Sequence, residues 1–289
     1  MYIFLTAPVL THPHTLHWNN YNISDMKFIN VALTELKKTF SLPFIFFSFL
    51  FTVIFFLLQT GYIDSETEKE FSIIYIMLHM SEFDMMEAFS WQSMAVVNIG
   101  DFFAIFVPCL LSLNAICLRY EEIKSGYLSH EKIRYNSVKF KSAVTITEVA
   151  ISGIVAAAAY FIFFIIVRFF FKDISAFNLP EEIMVTYTYS LGLNLSKWFL
   201  YGITSCSLYL LFFEIFRDRN LCISVGIFFV FLYNLILRKI YAYGDYTNVI
   251  LTKITLTDPL AMPLMWVFIT LFCIVFIIVK ERITRAKNV

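Results

Sequence analysis

The sequence predicts an all-α integral membrane protein with six transmembrane helices, an N-terminal interfacial helix and both termini cytoplasmic. Three observations carry this. Of 289 residues, 59% are hydrophobic and only 15% charged, against ~25% charged in ordinary soluble domains. Phe alone occurs 34 times, more aromatic surface than a soluble core of this length can hide. The apolar residues also come in blocks of about 17–24, close to the ~20 needed to cross a bilayer. A helix satisfies its own backbone in lipid, and the alternating pattern of a membrane barrel is absent.

Taken in order, residues 1–25 carry no periodic pattern and read as an N-terminal extension. "MYIFLTAPVL" lacks a basic leader region and is a poor signal peptide, so targeting is expected from the first span. Met26 is an alternative start. Residues 27–41, "KFINVALTELKKTFS", put Phe28, Val31, Ala32 and Leu36 on one helical face, with Lys37 and Lys38 off it. That predicts an amphipathic helix lying in the inner interface. Six spans follow at about 42–60, 99–118, 144–167, 198–216, 221–237 and 260–279. The outer loop 61–98 holds Phe71, Ile74, Met77 and Leu78 at helical spacing among acids, which predicts an outer interfacial helix. Residues 238–259, rich in Tyr and Thr, are read as dipping back toward the membrane before Pro259 and Pro263. Residues 26–289 make one six-span membrane domain.

Orientation follows from Lys and Arg, which favour the cytoplasmic side. With the N-terminus inside, the inner segments hold fifteen of the 22 and the outer segments seven. Loop 61–98 agrees, with one Lys against seven acids. The inner loop 119–141, "RYEEIKSGYLSHEKIRYNSVKFK", holds six of the fifteen.

Several chemistries lack their residues. The formal net charge is zero, so nothing suggests nucleic acid. The five cysteines lie in or beside apolar blocks without a CxxC pair and read as packing residues. The run "HPHTLH" (His12, His14, His17) reads as a polar tail rather than a metal site. Met77, His79, Met80, Met85 and Met86 could hold Cu(I), but read better as an amphipathic helix on lipid. Glu121–Glu122 lacks the Arg and the later histidines that one glutamate-dependent intramembrane protease family uses. No phosphate-binding loop is present, nor a hydrolase signature, so no enzyme activity, cofactor or metal is expected in this chain. Glu148 and Glu214 lie inside spans near the inner boundary, where pairing with a nearby Arg such as Arg217 is expected rather than proton relay. Asn114 and Asn234 are candidates for interhelical hydrogen bonds, ~0.6–2 kcal/mol each.

The inner loop has an order that positive charge alone does not explain. Glu122 closes the second span, Gly126 and Leu128 follow, then Arg134, then Lys139 entering the third. This resembles the permease subunits of ABC transporters of the type-2 exporter class. Upstream, "NVALTELKKTF" resembles that family's elbow helix, with Glu35, Leu36 and Lys37 at its core. The family often has Pro a few residues before the Arg, and "SHEKIR" has none. The resemblance implies that residues 124–138 form a coupling helix anchored by Tyr127, Leu128 and Tyr135, docking in a cytoplasmic ATPase subunit that carries ATP and Mg. It implies a second permease copy or paralogue, a bacterial plasma membrane, and export of a hydrophobic or amphipathic cargo such as a peptide, antimicrobial or lipid. The alternative is a non-transporting immunity or sensor-partner protein that binds a peptide through its acidic outer loop.

Overall fold

The computed structural model describes residues 28–41, 43–63, 69–79, 90–95, 101–126, 137–173, 191–241 and 261–287. The chain is helical, with one two-stranded antiparallel hairpin among the described residues. The order is α1 (Phe28–Ser41), α2 (Pro43–Leu58), β1 (Thr60–Ile63), β2 (Glu70–Ser72), α3 (Ile73–Leu78), α4 (Trp91–Ala95), α5 (Asp101–Lys124), α6 (Ser137–Phe170), α7 (Leu191–Phe216), α8 (Arg219–Tyr241) and α9 (Ala261–Lys287).

Helices α6 and α7 are each long and apolar enough to cross a bilayer. A third crossing is counted if α1 and α2, bent by 68°, are one span. The blocks predicted at 99–118, 221–237 and 260–279 fall largely on α5, α8 and α9.

Helices α6 and α7 pack closely, and small residues make it possible. A Cβ on Gly202 would lie 2.5 Å from the Ser152 carbonyl oxygen and 2.9 Å from the Gly153 Cα. Ser152 Oγ fills the crossing, donating to the carbonyls of Leu111 (2.9 Å) and Gly202 (3.0 Å). Lipid gives helices no hydrophobic reason to associate, so close backbone approach and interhelical hydrogen bonds supply it. Thr204 adds a link to α9 through Thr270 Oγ1 at 3.1 Å.

At the opposite end from residue 126, α2, α6, α7 and α9 bury an aromatic cluster. Phe56 meets Trp198 at 4.6 Å between ring centroids, Tyr160 stacks on Trp198 at 5.9 Å, and Tyr201 joins Trp266 at 5.8 Å. The segment around α4 closes onto this end. Asp173 accepts from Trp91 Nε1 (3.0 Å) and Gln92 Nε2 (3.1 Å) and pairs with Arg168 (3.1 Å). Tyr160 donates to the Ala95 carbonyl at 2.9 Å.

Four expectations change here. Residues 60–63 and 70–72 pair as strands, and helix α3 begins only at Ile73, capped by Ser72. It buries Ile73 and Ile76 and leaves Leu78 75% exposed, so the predicted face of Phe71, Ile74, Met77 and Leu78 does not form. The inner loop is shorter than 119–141, because α5 runs on to Lys124 and α6 starts at Ser137. The span near 144–167 is the middle of a longer helix, and that near 198–216 is the C-terminal part of one. On α1 the buried stripe is Val31, Glu35 and Thr39, not the apolar face expected. Residues 1–25 and most of 238–259 lie outside the described residues.

The α6–α7 crossing gives a testable outcome. Gly202→Ala should lower the melting temperature of the purified protein, by the ~1–3 kcal/mol typical of overpacking. Gly192→Ala, where a Cβ meets nothing within 4 Å, should leave it unchanged or slightly raised.

Candidate functional site

One end of the bundle gathers charge that its composition makes scarce. The C-terminal ends of α5, α7 and α9 meet the N-terminal part of α6 and the flank of α1. Four carboxylates (Glu35, Glu122, Glu148, Glu214) and four cations (Lys38, Arg119, Lys141, Lys280) converge there.

At its centre, Arg119 and Glu148 are fully buried. Arg119 Nε reaches both Glu148 oxygens at 2.9 and 2.8 Å, and Nη2 reaches Oε2 at 2.7 Å and donates to Thr145 Oγ1 at 2.9 Å. The planar guanidinium suits this two-point contact, which a lysine could not reproduce. A second pair joins Lys141 of α6 to Glu214 of α7, and Lys280 of α9 donates to the Glu214 carbonyl. Arg217 takes part in neither. It lies exposed in the break between α7 and α8, at φ 55°. The expected acids are therefore paired, but with Arg119 and Lys141.

The third pairing fastens α1. Lys38 Nζ reaches Glu35 Oε1 at 2.8 Å and, across 84 residues, Glu122 Oε1 at 3.0 Å. Burial disfavours the Lys38 charge, but the Glu122 and Glu35 carboxylates outweigh it and hold the ammonium above its ordinary pKa. Burial, then the neighbouring Glu122 charge, pushes the Glu35 carboxyl up. Two buried acids share one lysine, and Glu35 Oε2 and Glu122 Oε2 have no partner among the described residues.

Glu122 thus faces α1, and α5 ends two residues later at Lys124, just before Gly126. The Gly126 amide bonds the Ile123 carbonyl at 3.1 Å and its φ is 72°, a left-handed cap that glycine takes without a Cβ penalty. The spacing of Glu122 and Gly126 therefore combines an anchor and a helix stop.

Of the other predicted site residues, Leu36 is half-buried and Lys37 exposed on α1. Asn114 is buried on α5, its Oδ1 without a partner among the described residues. Asn234 falls on α8, and its side chain is outside the described residues, as are Tyr127, Leu128, Arg134 and Tyr135. So are His12, His14, His17, Met80, Met85 and Met86. His79 stacks on Tyr75 at 4.1 Å, and no metal-ligating cluster occurs among the described residues. Lys38, Arg119 and Lys141 were missed as site residues. The available signal was the excess of Lys and Arg at a helix end that also carries Glu122 and Glu148.

Comparison of the chain with known protein families, with characterised proteins and with solved structures gives no match.

The central pair predicts its own response. Arg119→Met should cost ~3–5 kcal/mol, because it leaves the Glu148 charge buried alone. Arg119→Met with Glu148→Leu should recover most of that loss in thermal unfolding, since the uncompensated charge goes with its partner.

Proposed function

We propose that this chain is the membrane-spanning permease subunit of an ATP-driven exporter of the type-2 ABC class. On this reading it crosses the bacterial plasma membrane six times, with both termini cytoplasmic. It works with a cytoplasmic ATPase subunit and a second permease copy or paralogue. Its cargo is hydrophobic or amphipathic: a peptide, an antimicrobial or a lipid.

The observation that supports this best is the Lys38 clasp. The helix read as the elbow is bonded, through Lys38, to Glu122, the residue that opens the Glu122–Gly126–Leu128 order in the sequence. A force applied to residues 124–138 would reach α1 through that contact and the remaining helices through Arg119, Lys141 and Lys280. Bistable packed elements transmit such displacements as units. The outward faces support membrane embedding. Phe268 and Phe272 of α9 are 73% and 65% exposed, a costly arrangement in water.

The test has two parts. Purified from a membrane that also expresses its neighbouring ATPase, the chain should bring the ATPase down. Gly126→Pro or Leu128→Asp should abolish ATP-dependent export while leaving membrane insertion intact. Normal export by both variants would remove the coupling role. Full protection of cells without any ATPase would favour the immunity-protein reading instead. Reporter fusions should place residues 61–98 outside and the C-terminus inside.

A further inference from the structure

Helices α1, α2, α5 and α6 enclose a cavity of about 10 Å³, close to the room one water molecule takes. Its polar lining is Thr39, Ser48, Asn114, Glu148 and Ser152. Three of these have spent their hydroxyl protons on helix carbonyls. Thr39 Oγ1 donates to Glu35 at 2.8 Å, Ser48 Oγ to Leu110 at 2.7 Å, and Ser152 Oγ to Leu111 at 2.9 Å. What remains on them is acceptor capacity. Asn114 is 7% exposed, and its Oδ1 finds no partner among the described residues. Glu148 gives its two oxygens to Arg119, yet a carboxylate has about four lone-pair sites.

The hydroxyls and Glu148 thus offer acceptors to the cavity, and Asn114 Oδ1 lacks a donor. Such a site takes a guest that gives hydrogen bonds or positive charge. Two species of this size qualify, a water molecule and a bare monovalent cation. Charge decides between them. The adjoining cluster already balances four carboxylates against four cations, so water leaves it neutral. A bare cation would leave net positive charge buried among apolar helices, which is costly.

We infer that Asn114 and Glu148 together bind one water molecule between α5 and α6. The water donates one hydrogen to Asn114 Oδ1 and the other to a Glu148 carboxylate oxygen. Asn114 is then a positioning residue for the Arg119–Glu148 pair, acting through the water. The site stands on its lining and is independent of any transport activity.

The test uses the full chain in lipid nanodiscs. A high-resolution structure should show one solvent peak within ~3.2 Å of both Asn114 Oδ1 and a Glu148 oxygen. Asn114→Leu displaces the water and should lower the melting temperature by about 2–4 °C. In a dry cavity the same change would remove an orphaned acceptor, and the melting temperature would hold or rise, which overturns the proposal. The infrared carboxylate stretch assigned to Glu148, by its loss in Glu148→Gln, should shift in Asn114→Leu. Asn114→Ser, which leaves room for a second water, should restore the original band and guards against a leucine variant that does not fold. An unshifted band in Asn114→Leu contradicts the positioning role. Melting temperatures in sodium, potassium and choline chloride should coincide. A rise specific to one metal ion, lost in Asn114→Leu, assigns the site to a cation and refutes the water.

Discussion

The structure depends on one constraint: a charge buried among apolar helices must meet its opposite there. Arg119 and Glu148 satisfy it at the centre, and their geometry fixes much around them. Arg119 can reach Glu148 only if α5 remains helical past the apolar block that begins it. Glu148 sits three turns into α6 only if that helix begins by Ser137. Lys141, about two turns before Glu148 on this first stretch of α6, meets Glu214 near the end of α7. Lys280 then draws α9 to the same place. Breaking any of these contacts leaves a desolvated ion, so the helix ends are held in register more firmly than apolar packing would hold them. Buried ion pairs add little net stability over apolar replacements, and their effect here is to specify which helix ends meet.

The two ends of the bundle are built from different interactions. Around Phe56, Tyr160, Trp198 and Trp266 the contacts are mostly aromatic, joined by the hydrogen bonds of Asp173 and Tyr160. Around Arg119 they are ionic and directional. The Ser152–Gly202 crossing lies between them, close enough that a methyl group would strike backbone. The ion pairs pin the charged end. The α1 helix belongs to the pinned end through Lys38, which places it in the same mechanical unit as the end of α5.

Much of this was legible in the sequence. The long apolar blocks gave the helical class, and the amphipathic run at 27–41 gave α1. The burial of Glu35 and Thr39 on α1 was not legible, because the amphipathic reading took in only the apolar face. Only its pairing with Lys38 makes Glu35 tolerable inside, against the like charge of Glu122. The hairpin at 60–63 and 70–72 was missed for another reason. Phe71, Ile74, Met77 and Leu78 fit a helical spacing, but strand pairing of Phe71 with Tyr62 outweighs that local pattern. The acids Glu148 and Glu214 were recognisable as ion-pair members from their depth alone. Their partners were not, since Arg119 and Lys141 read as loop residues until α5 and α6 were seen to extend. Gly126 was singled out through the permease resemblance, and its left-handed cap supplies the physical reason for glycine there.

On the proposed function, the segment after Gly126 transmits force from an ATPase to the charged end of the bundle. Site-specific photo-crosslinking tests it most directly. A photoreactive amino acid at position 127, in the full chain in native membranes, should crosslink to a cytoplasmic ATPase, and the yield should change when ATP is supplied. Crosslinks to lipid alone, or to periplasmic proteins, would contradict the account.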